Sequence, residues 1–307
     1  MNPFTRCSAA AGSARPIGKL QPKGNILEQL FIVGCGSIGR RIVPLAQARG
    51  MAVSTLSRGD SSVAGAHHFT GNLDDPATLA GLPTRGAGVI YLAPPPGGGH
   101  EESRVRNFCA SIAAGEEPGK VVYLSTSAVY GDCQGETVTE ETPANPQTAR
   151  GKRRLSGEQL FAAWGRERGV PVVILRVGAI YAADRLPVHQ LTSGQPVLRE
   201  EEAKPTNRIH ADDLSRICLA ALERGADGEL FNVSDGSPST MTSYFNAAAD
   251  RLGLPRPAQV SWEEARQVMS PLMISYFSES RVMDNSRMLS KLGITLRFPN
   301  LEEGLAP

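Results

Sequence analysis

Leu30-Phe31-Ile32-Val33, followed at once by Gly34-Cys35-Gly36-Ser37-Ile38-Gly39, constrains this chain more than any other stretch. A short apolar run that ends in G-x-G-x-x-G reads as a buried strand and a tight turn. Ile38, Ile42, Val43, Leu45 and Ala46 then repeat at helical spacing. In such a unit Gly34 permits the turn, Gly36 lets a diphosphate approach the backbone, and Gly39 lets the helix pack close to the strand. The unbonded N–H groups and the positive dipole end of that helix would face the phosphates of a dinucleotide. The same glycines also fit a structural turn that binds nothing.

The rest of the chain sets that unit in a repeating context. Strands are expected at 51–56, 67–70, 89–93, 120–127 and 172–177, with one more returning at 229–233. Gly71-Asn72-Leu73-Asp74-Asp75-Pro76 is expected to start a helix containing Leu79, and a longer helix begins after Pro146. Alternation of this kind predicts an α/β fold with a doubly wound parallel sheet, whose ligand lies at the carboxyl ends of the strands. Pro94-Pro95-Pro96-Gly97-Gly98-Gly99 cannot extend sheet or helix, so it reads as a loop, a candidate lid over the cofactor edge. Past Tyr181 the alternation breaks. Residues 187–206 read as a second lobe or a mobile loop, with lobe helices at 244–252 and 262–269. The expected division is a tail over 1–26, a dinucleotide-binding domain over 27–182 joined by the strand near 228–234, and a smaller substrate lobe over 183–307.

Residues just past the second strand bear on which dinucleotide fits. An acidic residue there holds a ribose 2′-hydroxyl, whereas an Arg accepts the 2′-phosphate of NADP. Ser57-Arg58, with Arg40 beside the last glycine, favours NADP. Asp60 keeps NAD open, and a solvated loop is the alternative for both arginines.

Charge and composition exclude other classes. The 32 basic and 31 acidic residues are interspersed, which argues against a nucleic-acid surface, and no apolar run approaches a membrane span. Five scattered cysteines without ligand spacing read as reduced thiols, as in the cytoplasm. The first 24 residues hold four basic and no acidic side chains, reading as a disordered tail or, in a eukaryote, a transit peptide; they lack the apolar core of a secretory signal. His67, His68, His100 and His189 show no ligand spacing, so no metal is expected.

Ser125-Thr126-Ser127-Ala128-Val129-Tyr130-Gly131 resembles the extended short-chain dehydrogenase/reductases, specifically the NAD-dependent epimerase/dehydratase family. The resemblance runs from about Leu30 to about Leu305. It continues through Leu175-Arg176-Val177-Gly178-Ala179-Ile180-Tyr181, Asn207-Arg208-Ile209-His210-Ala211-Asp212-Asp213-Leu214, Phe231-Asn232-Val233-Ser234-Asp235, and Asn285-Ser286-Arg287 with Leu292-Gly293. It implies a Rossmann domain with a carboxyl-terminal substrate lobe, and a dinucleotide held along Gly34, Gly36, Ser37, Ile38, Gly39, Arg58, Asn72, Leu73, Ala93 and Arg154. A small-molecule substrate is implied, and a homodimer is one assembly it allows.

The family's chemistry uses a Ser or Thr after the fifth strand and a Y-x-x-x-K pair on the next helix. By resemblance Thr126 takes the first role. Counting back from Glu158 puts Arg150 at the Tyr position and Arg154 at the Lys position, and no Tyr occurs between Gly131 and Ile180. A guanidinium stays protonated and cannot act as a base. Arg150 would instead hold a carboxylate, a phosphate or a developing oxyanion, and Arg154 the nicotinamide ribose; an ordinary solvated basic face is the alternative. Loss of the pair is similar to the atypical members of the superfamily. Tyr130 and Tyr181 are candidate replacement acids, although packing also accounts for them, and His210 either contacts substrate or makes a structural hydrogen bond. Two functions follow: an NAD(P)-dependent oxidoreductase of the epimerase/dehydratase type, acting on a small polar, sugar-derived or anionic substrate, or a catalytically silent NADP(H)-binding sensor.

Overall fold

Six largely apolar runs and the edge segment HHFT, each four to seven residues long, become seven strands of one sheet: β1 (Gln29–Val33), β2 (Ala52–Ser57), β3 (His67–Thr70), β4 (Gly88–Tyr91), β5 (Lys120–Thr126), β6 (Val172–Val177) and β7 (Leu230–Val233). The computed structural model describes Met1, residues 28–59 and residues 62–306, so the expectations for the tail and for Asp60 lie outside the described residues. The strand order is β3-β2-β1-β4-β5-β6-β7 and every neighbouring pair is parallel. The order reverses between β1 and β4, which opens a crevice at their carboxyl ends.

Helices cover both faces. Alternate residues of β1 and β5 divide between them: Leu30, Ile32, Val122 and Leu124 pack with α1 (Ser37–Gln47) and α4 (Ala211–Arg224), while Phe31, Val33, Val121 and Tyr123 pack with α2 (Ser103–Ser111) and α3 (Ala149–Arg168). Burial on both sides is why these strands read as continuous apolar runs. Each fully buried Phe or Ile contributes roughly 1.5–3 kcal/mol. The stretch expected to be a helix around Leu79 is only the 3-10 turn Pro76–Leu79, begun by Asp75 accepting from the Ala77 N–H and followed by Gly81 at φ +69°.

The lobe is built from short pairings. Val197–Leu198 lies parallel to Gln259–Val260, and Pro205–Thr206 antiparallel to Ser239–Thr240. Its core gathers Val197, Leu198, Tyr244, Phe245, Ala265 and Phe277. The chain is more interleaved than a division at 182 implies. Helix α4 and the helix Ser286–Leu292 both pack on the sheet, with Leu214, Ile217, Met288 and Leu292 in its core.

Two polar clusters lock this arrangement. On α3, Glu158 accepts from Ser125 Oγ of β5 at 2.5 Å and from Arg176 of β6 through Nε (3.1 Å) and Nη2 (2.8 Å), with both charged side chains buried. At the lobe junction the buried Arg208 guanidinium lies 4.1 Å from the Tyr244 ring centre and donates to Ser239 Oγ and Thr240 O. Nearby, Asp235 Oδ1 accepts from the Ser237 N–H, but its buried Oδ2 finds no donor among the described residues. Burial pushes this carboxyl up to about 7, against an ordinary 3.8, although Arg208 opposes the rise.

Glu158→Ala leaves Arg176 buried without its counter-ion and is expected to lower unfolding free energy in urea by roughly 3–5 kcal/mol. Asp235 carries a pH signature. Between about pH 4 and 7 the folded protein keeps a proton that the unfolded chain has released, so stability falls as pH rises through that window, by up to about 1.4 kcal/mol per pH unit. Asp235→Asn is expected to flatten that slope when urea midpoints are compared at pH 4.5 and 7.5.

Candidate active site

The turn after β1 is set by close approach. Gly34 has φ +88°, and a Cβ there would lie 2.7 Å from the Ala93 backbone; its N–H and that of Cys35 both donate to Leu56 O. A Cβ on Gly39 would meet Cys35 Sγ and Ile32 at 3.1–3.2 Å, which brings α1 down onto β1. Gly36 differs: its Cβ position faces open space. Helix α1 has no side-chain cap and no acidic residue in its first turn, so its amino end is electropositive. Beside it lies a cavity of about 370 Å³, whose wall includes Gly34, Gly36, Arg58, Asn72, Leu73 and Ala93. An open backbone approach, an uncapped helix end and a crevice at the strand reversal are what an extended diphosphate ligand needs.

Ser37, Ile38 and Gly39 stand behind this wall as the first turn of α1 rather than in the lining. Ser37 Oγ accepts from Arg185 at 2.6 Å, and Arg41 one turn on bridges Asp184 and Asp212, so the 3-10 turn Ala183–Arg185 and α4 are both fastened to the first turn of α1. Arg40 is exposed, donating to Ser62 O at 3.4 Å, and does not line the cavity.

Pro94 belongs to a second cavity as well, of about 490 Å³. One side is formed by Thr126, Ser127 and Ala128 after β5 and by Arg150, Arg153 and Arg154 of α3; the lobe supplies Thr206, Met241, Glu279 and Arg281. Helix α3 reaches this position because Thr148 caps it and Gly151 packs so closely that a Cβ would lie 2.7 Å from Ala128 O. Arg150 and Arg154, one turn apart, therefore face the same space. Arg154 Nη1 donates to Leu124 O at 2.9 Å and Ala93 O at 3.3 Å, tying the ends of β5 and β4. Thr126 Oγ1 accepts from the Ala128 N–H.

Three expectations need correction. Tyr130 is buried under this floor and not in the cavity wall: its hydroxyl donates to Asn232 Oδ1 at 2.7 Å, its ring lies against Arg176 (4.7 Å), and burial raises its pKa. Tyr181 is equally remote, donating to Asn300 O at 2.8 Å, and burial raises its pKa further. Neither phenol is placed to trade a proton with a ligand in the cavity. The loop at 94–99 is tethered rather than a free lid, since Arg104 donates to Pro94 O and Pro95 O and Arg153 to Gly99 O. His210 makes the structural bond: Nδ1 accepts from the Asp212 N–H to cap α4, and the ring packs 3.9 Å from Phe298.

Sequence reasoning missed Arg104, Glu279 and Arg281. Arg104 lines the first cavity and forks onto Asp74 at 2.6 and 2.8 Å, a contact that, with a lesser effect from Arg58, holds the Asp74 carboxyl below its ordinary range. Arg281 donates to Gly131 O and Glu279, and lies 3.5 Å from Ser127 Oγ. Some 150 residues separate it from the strand end it serves, and no local pattern announces that. Among the described residues no three His, Cys, Asp or Glu side chains cluster to hold a metal, and no helix is long and apolar enough to cross a membrane.

Among solved structures, a functionally unknown conserved protein from Silicibacter pomeroyi aligns with TM-score 0.74 and 28% identity over 91% of this chain and 96% of that one. The UDP-glucose 4-epimerase of Thermotoga maritima, solved with UDP-glucose, aligns with TM-score 0.73 and 18% identity over 90% and 96%. That of Thermus thermophilus, solved with NAD, gives 0.72 and 20% over 90% and 96%. An uncharacterized Sinorhizobium fredii protein, y4nG, is 35% identical over 118 residues, which are 36% of this chain and 29% of that protein; the chain thus matches under a third of this curated relative's length. A profile of the NAD dependent epimerase/dehydratase family matches residues 30–234, from β1 through β7. The chain belongs to that family.

Proposed function

We propose that this protein is an NAD(P)-dependent oxidoreductase of the epimerase/dehydratase type, acting on a small polar substrate. The observation that carries this reading is the meeting of two cavities at Pro94, one lined by the glycine turn and the other by Thr126 and the α3 guanidiniums. The first cavity suits a nicotinamide dinucleotide: Gly36 leaves room for the diphosphate, α1 directs its N–H groups toward it, and Asn72 and Leu73 border the far end. When bound, the nicotinamide exchanges a hydride with a substrate carbon. Arg58, on the rim beyond β2, favours a 2′-phosphate and hence NADP.

In the second cavity the Thr126 hydroxyl is positioned to hydrogen-bond the reacting oxygen. Arg150 stabilises negative charge that develops on it without exchanging a proton. With Tyr130 and Tyr181 sequestered, water entering the cavity is the proton source. The absence of any phenol from the described wall favours a second reading, a silent NADP(H)-binding sensor on the same scaffold.

Arg58→Ala is expected to weaken NADPH binding roughly tenfold or more, a loss of about 1.4 kcal/mol, with NADH changed far less in fluorescence titrations. Equal effects on both would overturn the NADP assignment. With NADPH and a panel of aldehydes, keto sugars and keto acids, Thr126→Ala is expected to lower kcat about a hundredfold. Tyr130→Phe should leave kcat within a few-fold while costing about 1–3 kcal/mol of stability, through the lost bond to Asn232. Tight NADPH binding with no turnover across the panel would support the sensor.

A further inference from the structure

The wall of the second cavity is unbalanced in charge and has unmet hydrogen-bonding groups of both kinds. Arg150, Arg153, Arg154 and Arg281 face a single carboxylate among the described lining residues, that of Glu279. Arg153 and Arg154 direct the bonds described above to backbone carbonyls, which satisfy N–H groups but cancel no charge. Glu102 is buried outside this wall, and burial raises its pKa although Arg154 opposes the rise. A half-buried cleft with one dominant sign attracts an anion.

Two atoms narrow the anion further. Arg153 Nε is a buried donor with no acceptor, and Glu279 Oε1 is a buried acceptor with no donor, while Oε2 is taken by Arg281 at 2.7 Å. The Glu279 side chain is only 10% exposed. Most buried polar groups have a partner in the protein or in ordered water, and an unmet pair facing one cavity fits a ligand site. The first takes an acceptor, for which a carboxylate oxygen gives the stronger, charge-assisted bond, and the second takes a donor such as a hydroxyl. Among the described lining residues no aromatic side chain is present on which a nucleobase would stack.

We infer that the substrate, on the reading that this is a dinucleotide-dependent enzyme, is a small hydroxy carboxylic acid of the sugar-acid kind. Its carboxylate is received by Arg153, and one of its hydroxyls donates to Glu279 Oε1.

The test is calorimetric titration of the full chain, with and without saturating NADPH, using D-gluconate, D-glucuronate, D-glucose, glucose 6-phosphate and UDP-glucose. At least one of the two acids is expected to bind about tenfold or more tighter than glucose and than both phosphate compounds. Arg153→Lys, which keeps the charge but loses the Nε donor, and Glu279→Leu should each weaken the acid about tenfold, with NADPH affinity kept within about twofold. Tighter binding of glucose 6-phosphate or UDP-glucose than of either acid overturns the inference, as does failure of both acids to bind a chain that takes NADPH. Acid binding by a chain that takes no dinucleotide would uphold this site and sink the oxidoreductase reading instead.

Discussion

The buried contact between Glu158 and Arg176 fixes the helix on which the site depends. Glu158 sits one turn past Arg154, and its carboxylate takes Ser125 from the adjacent strand end as well as the Arg176 fork. Sequestering two charges is costly, and good geometry with full hydrogen bonding is what offsets it. The return is directional. With Glu158 pinned at β5 and β6 and Gly151 pressed against Ala128 O, the intervening turn has one azimuth, and it turns Arg150, Arg153 and Arg154 toward the cavity. These three half-buried side chains line the cavity, whereas Lys152 on the same helix is exposed.

Replacing a phenol and an amine by two guanidiniums changes what the site does across pH. A Tyr and Lys pair works by shifting protons near neutrality, whereas guanidiniums hold their charge throughout the physiological range. Such a site attracts and orients but has no switch of its own. On the proposed reading, water or substrate carries the proton.

How much of this was legible follows from the range of each interaction. Strands β1 and β6 could be read closely because burial on both faces demands an unbroken apolar run, and glycines mark where it stops. The cradle was legible because Gly34, Gly36 and Gly39 act within six residues. Tyr130 misled because it follows Thr126 by one short turn, yet its hydroxyl is claimed by Asn232, 102 residues downstream. Glu279 and Arg281 were invisible for the same reason: two-residue pairings such as Val282–Met283 against Thr137–Val138 carry no periodic signal, yet they bring the lobe to the end of β5. The 3-10 turn at Leu79 was overextended because Asp75-Pro76 signals where a helix begins and not how far it runs.

The proline and glycine segment between Pro94 and Gly99 is held at one end by Arg104 and at the other by Arg153, each through main-chain carbonyls. Arg104 also faces the chamber beside the glycine turn, and Arg153 the chamber beside Thr126. The segment is thus a taut party wall whose two moorings stand in different rooms. Whichever room is filled, its guest meets a wall whose position is set from both sides.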